Sequence, residues 1–305
     1  MATTEVAGPA PAVRRRGHLS ESALAKVFVS PSLATMLLVA LFPIIYAFVL
    51  SLYAYEGRLR EGFAGLENYA EALTDSRFWN AVNATVIFTV TSVAAEFVIG
   101  LGFALIMRQA FVGRGVTRAA ILVPWVIPTV ISAQMWFFMF NVTPGFWNSI
   151  FNLGDFNWLG QPGWAMFAIV FTDVWKTAPF VALLLLAGLQ TIPEEIYESG
   201  RVDGATTWQR FWHLTLPLLR PAILVALLFR TTQSLRVFDL PQVMTQGAFG
   251  TETLSILVQR FVVQTPDPGL GAALSTLTFV LVLGVGVIFV SFLGREFVIG
   301  TGEAR

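Results

Sequence analysis

Long uncharged stretches alternate with short charged ones, and the long stretches recur six times. Residues 27–55, between Lys26 and Glu56, carry no charge, and residues 78–107, between Arg77 and Arg108, carry only Glu96. The third stretch runs from Arg118 to Asp155, and its segment 119–140 has the length of one span. Residues 163–190 hold Asp173 and Lys176, residues 217–238 hold Arg230 and Arg236 beyond Arg220, and residues 268–294 are uncharged. A membrane crossing takes about 20 mostly apolar residues. Lipid leaves an open sheet edge unsatisfied, so each stretch predicts a helix. The pattern therefore predicts an all-α membrane protein with six transmembrane helices. Pro31, Pro43, Pro124, Pro128 and Pro179 fall inside these stretches and predict kinks, because proline removes a backbone donor.

Composition excludes the other classes. Charged residues make up 12% and hydrophobic residues 55%. A soluble surface needs roughly 25% charge, and a disordered chain is far less apolar. Lys plus Arg and Asp plus Glu are 19 each, with no basic excess for nucleic acid. The absence of cysteine excludes disulfides, thiolate catalysis and Cys-based metal sites. His18 and His213 stand far apart, so no metal cluster is expected.

Loop charge sets the topology. With the amino terminus inside, twelve Lys and Arg lie in cytoplasmic segments and four (Arg58, Arg60, Arg77, Arg260) lie outside. The positive-inside rule then puts both termini in the cytoplasm. Residues 1–26 are expected as a disordered tail, 27–293 as the six-helix domain and 294–305 as a second tail. Arg14–Arg16 ahead of an apolar run has the look of a signal peptide. The run of 29 residues is too long for a signal core, and no small-residue cleavage site follows it closely.

The cytoplasmic segment 191–221, TIPEEIYESGRVDGATTWQRFWHLTLPLLRP, is the most informative. Thr191 can cap a helix, and Pro193 suits its first turn. Glu194 and Glu195 sit at the positive end of its dipole. Asp203-Gly204 ends it, and a second short helix over about 205–214 stops before Leu216-Pro217. Helix connections in bundles are typically about 2–8 residues, so this longer loop suggests docking. Ile196, Tyr197, Trp208, Phe211 and Trp212 can fill a groove on a partner. The same residues can also rest on lipid headgroups.

Here the sequence resembles the permease subunits of binding-protein-dependent ABC importers. The family's E-A-A, three residues, Gly, and later hydrophobic-x-Leu-Pro is met by Glu198-Ser199-Gly200, Gly204 and Leu214-Thr215-Leu216-Pro217. Asp203-Gly204-Ala205 matches, whereas Ser199 and Gly200 depart from the two alanines and lower helix propensity. Pro31-Ser32, Phe42-Pro43, Ser51-Leu52, Leu66-Glu67-Asn68-Tyr69 and Thr177-Ala178-Pro179-Phe180 resemble the sugar-importing branch. So do Leu183–Leu189, Pro193, Trp208, Val237-Phe238-Asp239 and Thr245-Gln246-Gly247, which extends the likeness over roughly 27–293. The loop 141–162 carries no large extracellular insertion of the enterobacterial maltose-permease kind.

The resemblance implies a type I ABC importer permease fold and a multi-pass protein of the bacterial plasma (inner) membrane. It implies that Glu198, Ser199, Gly200, Asp203, Gly204 and Ala205 form a coupling helix docked on a separate ATPase. Two ATP-binding cassette subunits, a sister permease in a heterodimer and an extracellular sugar-binding protein would complete the complex. The chain has no G-x-x-x-x-G-K-[ST] loop. It is therefore expected to be no enzyme itself and to hold no cofactor, ATP and Mg being bound by the partner. The implied cargo is an α-linked disaccharide or maltodextrin of the maltose/trehalose class. Glycerol-phosphate permeases belong to the same branch. Intramembrane Glu96, Asp173 and Lys176 also suit an ion-coupled secondary transporter, although six spans show no clear internal repeat. A membrane-embedded enzyme lacks any Ser/His or metal constellation.

Charges at membrane depth cost about 2.5–3.5 kcal/mol each, so each needs a reason. Asp173, Lys176, Thr177 and Phe180 share one helical face, and Arg230, Gln233, Ser234 and Val237 share another. At 1.5 Å per residue, Asp173 lies about 15 Å from the outer end and Arg230 about 20 Å from the inner end. These faces are expected to line the translocation path. Arg230, Gln233 and Ser234 would bond sugar hydroxyls, and Phe180 or a nearby tryptophan would stack on the ring. A purely structural pairing of Asp173 with Lys176 or Arg230 is the competing reading. Glu96 can equally bond a neighbouring helix. Arg236, near the outer end, is expected to snorkel. Trp79, Trp136, Trp147, Trp158 and Trp164 gather near outer boundaries, which suggests an interfacial belt.

Overall fold

A computed structural model describes residues 20–302 apart from 58, 144, 265 and 266. The expected tail therefore lies outside the described residues up to 19. The described residues divide into two compact units, one up to Tyr46 and one from Ala47 onwards. The first helix starts earlier than expected, as α1 (Glu21–Met36), and a π-helical turn, Leu37–Leu41, leads into α2 (Phe42–Leu50). Ala and Leu after Ser20 are good helix formers, which explains the early start. The widened turn directly precedes Pro43, whose missing N–H breaks the regular bonding ladder.

The uncharged stretch 27–55 does not stay helical to its end. After Leu50 the chain turns, and β1 (Tyr53–Glu56) pairs antiparallel with β2 (Leu59–Phe63), so the protein is not purely α-helical. Tyr53 and Phe63 face each other edge to face, with ring centroids 5.6 Å apart. Asn68, on α3 (Glu67–Thr74), fixes the root of this hairpin. Its Nδ2 donates to the carbonyls of Ser51 (2.8 Å) and Tyr53 (2.9 Å), and Tyr69 Oη lies 2.6 Å from Ser51 Oγ. The Asn-Tyr pair thus has a structural task. Asn68→Ala strands two carbonyls and should cost about 1–3 kcal/mol. A lowered unfolding midpoint of the purified protein in detergent would register the loss, and an unmoved midpoint would refute it.

Four helices are long and apolar enough to cross a membrane by themselves. They are Leu24–Leu50, α4 (Ser76–Arg108), α8 (Trp164–Gln190) and Pro268–Phe292 within α14 (Pro268–Gly302). Counting each bent helix pair as one span gives six. The third stretch, expected as one helix over 119–140, is split into α5 (Arg114–Val126) and α6 (Thr129–Phe140), bent by 92°. Ile127 is extended (φ −68°, ψ 131°) because it precedes Pro128, and Pro128 brings no N–H to continue the ladder. A short helix α7 (Phe146–Phe151) follows in the loop before α8. The fifth stretch begins at a second break, 65°, between α10 (Thr207–Leu218) and a helix pair made of α11 (Arg220–Ser234) and α12 (Asp239–Met244). After α13 (Leu254–Gln264), α14 continues to Gly302, past the boundary at 294 expected for the tail.

Helices α4 and α8 form the central pair. Met107, Leu185, Leu189 and Leu219 make one buried cluster at one end. Phe88, Trp136, Phe140, Trp158 and Ile169 make a second. Trp136 stacks on Trp147 at 6.1 Å, and Trp158 Nε1 donates to Asn148 Oδ1 at 2.7 Å. Trp136 and Trp158 are therefore core residues and not an interfacial belt, whereas Trp79 and Trp164 are exposed. A loop that folds back over α6 and α8 gives those rings partners that linear proximity does not show.

Candidate functional site

Three helices meet at a buried charge network. Glu96 comes from α4, Asp173 from α8 and Arg230 from α11; Glu96 is 0% exposed, Arg230 4% and Asp173 6%. The Arg230 fork donates through Nε and Nη2 to the two oxygens of Glu96, with Nη2–Oε1 at 2.6 Å. Nη2 also donates to Asp173 Oδ2 at 2.9 Å and Ser234 Oγ at 3.2 Å, and Nη1 donates to Gln233 Oε1 at 3.0 Å. Thr177 Oγ1 lies 2.6 Å from Glu96 Oε1 and 2.5 Å from the Asp173 carbonyl, with one proton to give to either. Helical spacing brings the local members together: Thr177 follows Asp173 by one turn, and Ser234 follows Arg230 likewise.

This arrangement separates the residues expected on the path. Asp173, Arg230 and Ser234 are buried inside this chain, Thr177 is half-buried, and their polar atoms face one another. Gln233 is exposed, and Phe180 and Val237 are half-buried. Phe180 stacks on Trp125 at 5.6 Å. Of the two pairings open for Asp173, the one with Arg230 is formed. Lys176 instead points its Nζ to the Trp125 carbonyl at 3.5 Å. That carbonyl sits one turn before the Pro128 break, where the helix supplies no donor, and a cation compensates it. Arg236 is exposed, and its Nε lies 3.3 Å from the Thr232 carbonyl. The link from Glu96 to Arg230 spans 134 positions, so no local spacing could have signalled it.

The segment after α8 forms the expected two short helices with altered caps. Thr191 closes α8, its hydroxyl donating to the Gly188 carbonyl at 2.8 Å, so it does not cap the next helix. Pro193 takes the N-cap position of α9 (Glu194–Val202), with Glu194 and Glu195 in the first turn. Gly204, at φ +75°, terminates α9. Ala205 N–H reaches the Gly200 carbonyl (2.9 Å) and Gly204 N–H the Arg201 carbonyl (3.1 Å), the paired bonds of a Schellman stop. Thr206 and Gln209 then form a capping box for α10. The helix α10 runs to Leu218, beyond the end expected at 214, because a π-helical turn at Phe211–Thr215 accommodates Pro217.

Glu198 and Ser199 are exposed on α9, and Arg201 bridges Glu198 (3.5 Å) and Glu194 (3.6 Å). Gly200 is buried against α10: a Cβ there would lie 3.0 Å from Leu214 Cδ1 and 3.4 Å from Arg210 Cγ. Val202, Trp208 and Trp212 project outward, 87%, 68% and 48% exposed. Tyr197 and Ile196 turn the other way and pack on the core, with the Arg108 guanidinium 4.2 Å above the Tyr197 ring.

Comparison with known proteins gives the same picture over most of the chain. The family model for binding-protein-dependent transport system inner membrane components matches residues 96–297. The trehalose/maltose transport system permease protein MalF of Thermococcus litoralis is 44% identical over 88% of this chain and 93% of its own length. The trehalose transport system permease protein SugA of Mycobacterium tuberculosis is 37% identical over 92% of each chain. Among solved structures, a chain of a bacterial ABC transporter involved in the import of the acidic polysaccharide alginate superposes with a TM-score of 0.77. It is 23% identical, and the match covers 89% of this chain and 95% of that one.

Proposed function

The chain belongs to the family of binding-protein-dependent transport system inner membrane components, and from that premise we propose that it is the permease of an ATP-driven importer for an α-linked disaccharide of the trehalose/maltose class. It is a multi-pass inner-membrane protein. The observation that carries the cargo is the 44% identity to a trehalose/maltose permease along 93% of that protein's length. Two ATP-binding cassette subunits, a sister permease and an extracellular binding protein would complete the machine. ATP and Mg would sit on the cassettes.

Both termini would face the cytoplasm, which places α9 and α10 at the inner surface. Glu198, Ser199, Gly200, Asp203, Gly204 and Ala205 would couple this chain to a cassette. Exposed Trp208, Trp212 and Val202 give that surface apolar anchors. Asp173, Thr177, Phe180, Arg230, Gln233, Ser234 and Val237 would build the path wall. Its buried members hold the wall, and its exposed members meet the cargo.

The test is uptake by proteoliposomes holding the whole transporter, with ATP inside and the liganded binding protein outside. Labelled trehalose and maltose should accumulate only with ATP. Accumulation driven by a proton or sodium gradient alone would overturn the reading.

A further inference from the structure

Gln233 has a fixed polarity. Its oxygen faces Arg230 Nη1 at 3.0 Å. A guanidinium has donors only, so the group it meets must be the amide oxygen and never the amide nitrogen. Arg230 itself is locked by Glu96, Asp173 and Ser234. The Gln233 nitrogen meets no acceptor among the described residues and lies on the exposed side of α11. Counted from Arg220, it stands about 20 Å along the helix, within a hydrocarbon core about 30 Å thick. Two free N–H groups facing lipid at that depth would each be costly. That side of α11 therefore faces polar groups or water and not lipid, as a wall of the path would.

We propose that Gln233 is a specificity-determining donor: Arg230 draws its acceptor oxygen inward, so the wall turns N–H groups towards passing cargo at this point. Arg230 is then a positioning residue that acts through Gln233 without touching cargo itself. The cargo must bring an acceptor oxygen to this point. A sugar hydroxyl does so, and it need not donate in return. This rests on the permease reading above and narrows it to one contact and one polarity.

The experiment is initial uptake by the complete transporter in proteoliposomes, at saturating binding protein. The cargo would be the parent disaccharide and its monodeoxy and monodeoxyfluoro derivatives, restricted to those the binding protein still holds tightly. Replacing the critical hydroxyl by hydrogen should slow wild-type uptake about tenfold, as expected for one lost hydrogen bond. Fluorine, which keeps an acceptor, should slow it less. In Gln233→Met, parent uptake should fall about tenfold and the penalty at that one hydroxyl should vanish. Gln233→Glu keeps the oxygen facing Arg230 but offers no donor, and should fall at least as far. Arg230→Lys keeps the charge without the fork, frees the amide to turn, and should bring hydrogen and fluorine derivatives towards parity. A purely structural role would not alter that ratio. Unchanged penalties in Gln233→Met, or full uptake by Gln233→Glu, would overturn this inference while leaving the permease reading intact. A wild-type complex that moves neither parent sugar would overturn both.

Discussion

Arg230→Ala should destabilise the protein more than any other single truncation in the membrane region. It leaves Glu96 and Asp173 buried with no cation between them, and it removes every donor that Arg230 gives to Glu96, Asp173, Ser234 and Gln233. Breaking a buried pair by removing one partner typically costs about 3–5 kcal/mol, because the surviving charge stays in low dielectric. Here two carboxylates survive. The fraction of protein recovered folded after detergent extraction should drop, along with the unfolding midpoint. Replacing Glu96, Asp173 and Arg230 together by neutral residues of similar volume should cost less than Arg230→Ala alone, since no charge is then stranded. If the single variant unfolds at the wild-type midpoint, the network does not hold the three helices together.

The second large effect is expected at the α9–α10 pair. Gly200→Leu cannot fit against α10, because even a Cβ would approach Leu214 to 3.0 Å. The added branches should push α9 off α10 and spoil the surface that carries Glu198, Trp208 and Trp212. Membrane insertion should survive, since α9 lies outside the spans. Sugar moved per ATP hydrolysed should fall more than tenfold. Gly200→Ala is the control: its methyl asks only a small shift of the flexible Leu214 tip, and alanine gains about 1 kcal/mol of helix propensity over glycine. It should couple as well as the wild type. Equal coupling in Gly200→Leu would sink the proposal that this helix pair transmits work.

The four long apolar helices were legible because hydrophobic length is a property of the sequence alone. The breaks were only half legible: Pro124, Pro128 and Pro179 all predict kinks, yet Pro128 splits its helix by 92° while Pro124 and Pro179 lie within helices. What separates them is the neighbourhood, since Lys176 Nζ meets the Trp125 carbonyl at the end of α5, where the break leaves no backbone donor. The hairpin at 53–63 was hidden because an uncharged run gives no boundary where helix becomes strand. The α9–α10 helix pair was readable from its Asp-Gly stop. Which aromatic residues face outward was not, because Tyr197 and Trp208 are equally amphipathic and only packing decides between them. The face shared by Asp173 and Thr177 followed from helical spacing, whereas its partner Glu96 did not.

The distance in sequence between Glu96 and Arg230 also bears on how the protein is made. Synthesis proceeds at about 5–20 residues per second. The 134 positions between them therefore correspond to roughly 7–27 s of elongation. Throughout that interval Glu96 has left the ribosome and its guanidinium has not. Asp173 emerges meanwhile and adds a second carboxyl to the wait. Until residues 220–234 follow, both carboxyls stand without the guanidinium that pairs with them in the finished fold.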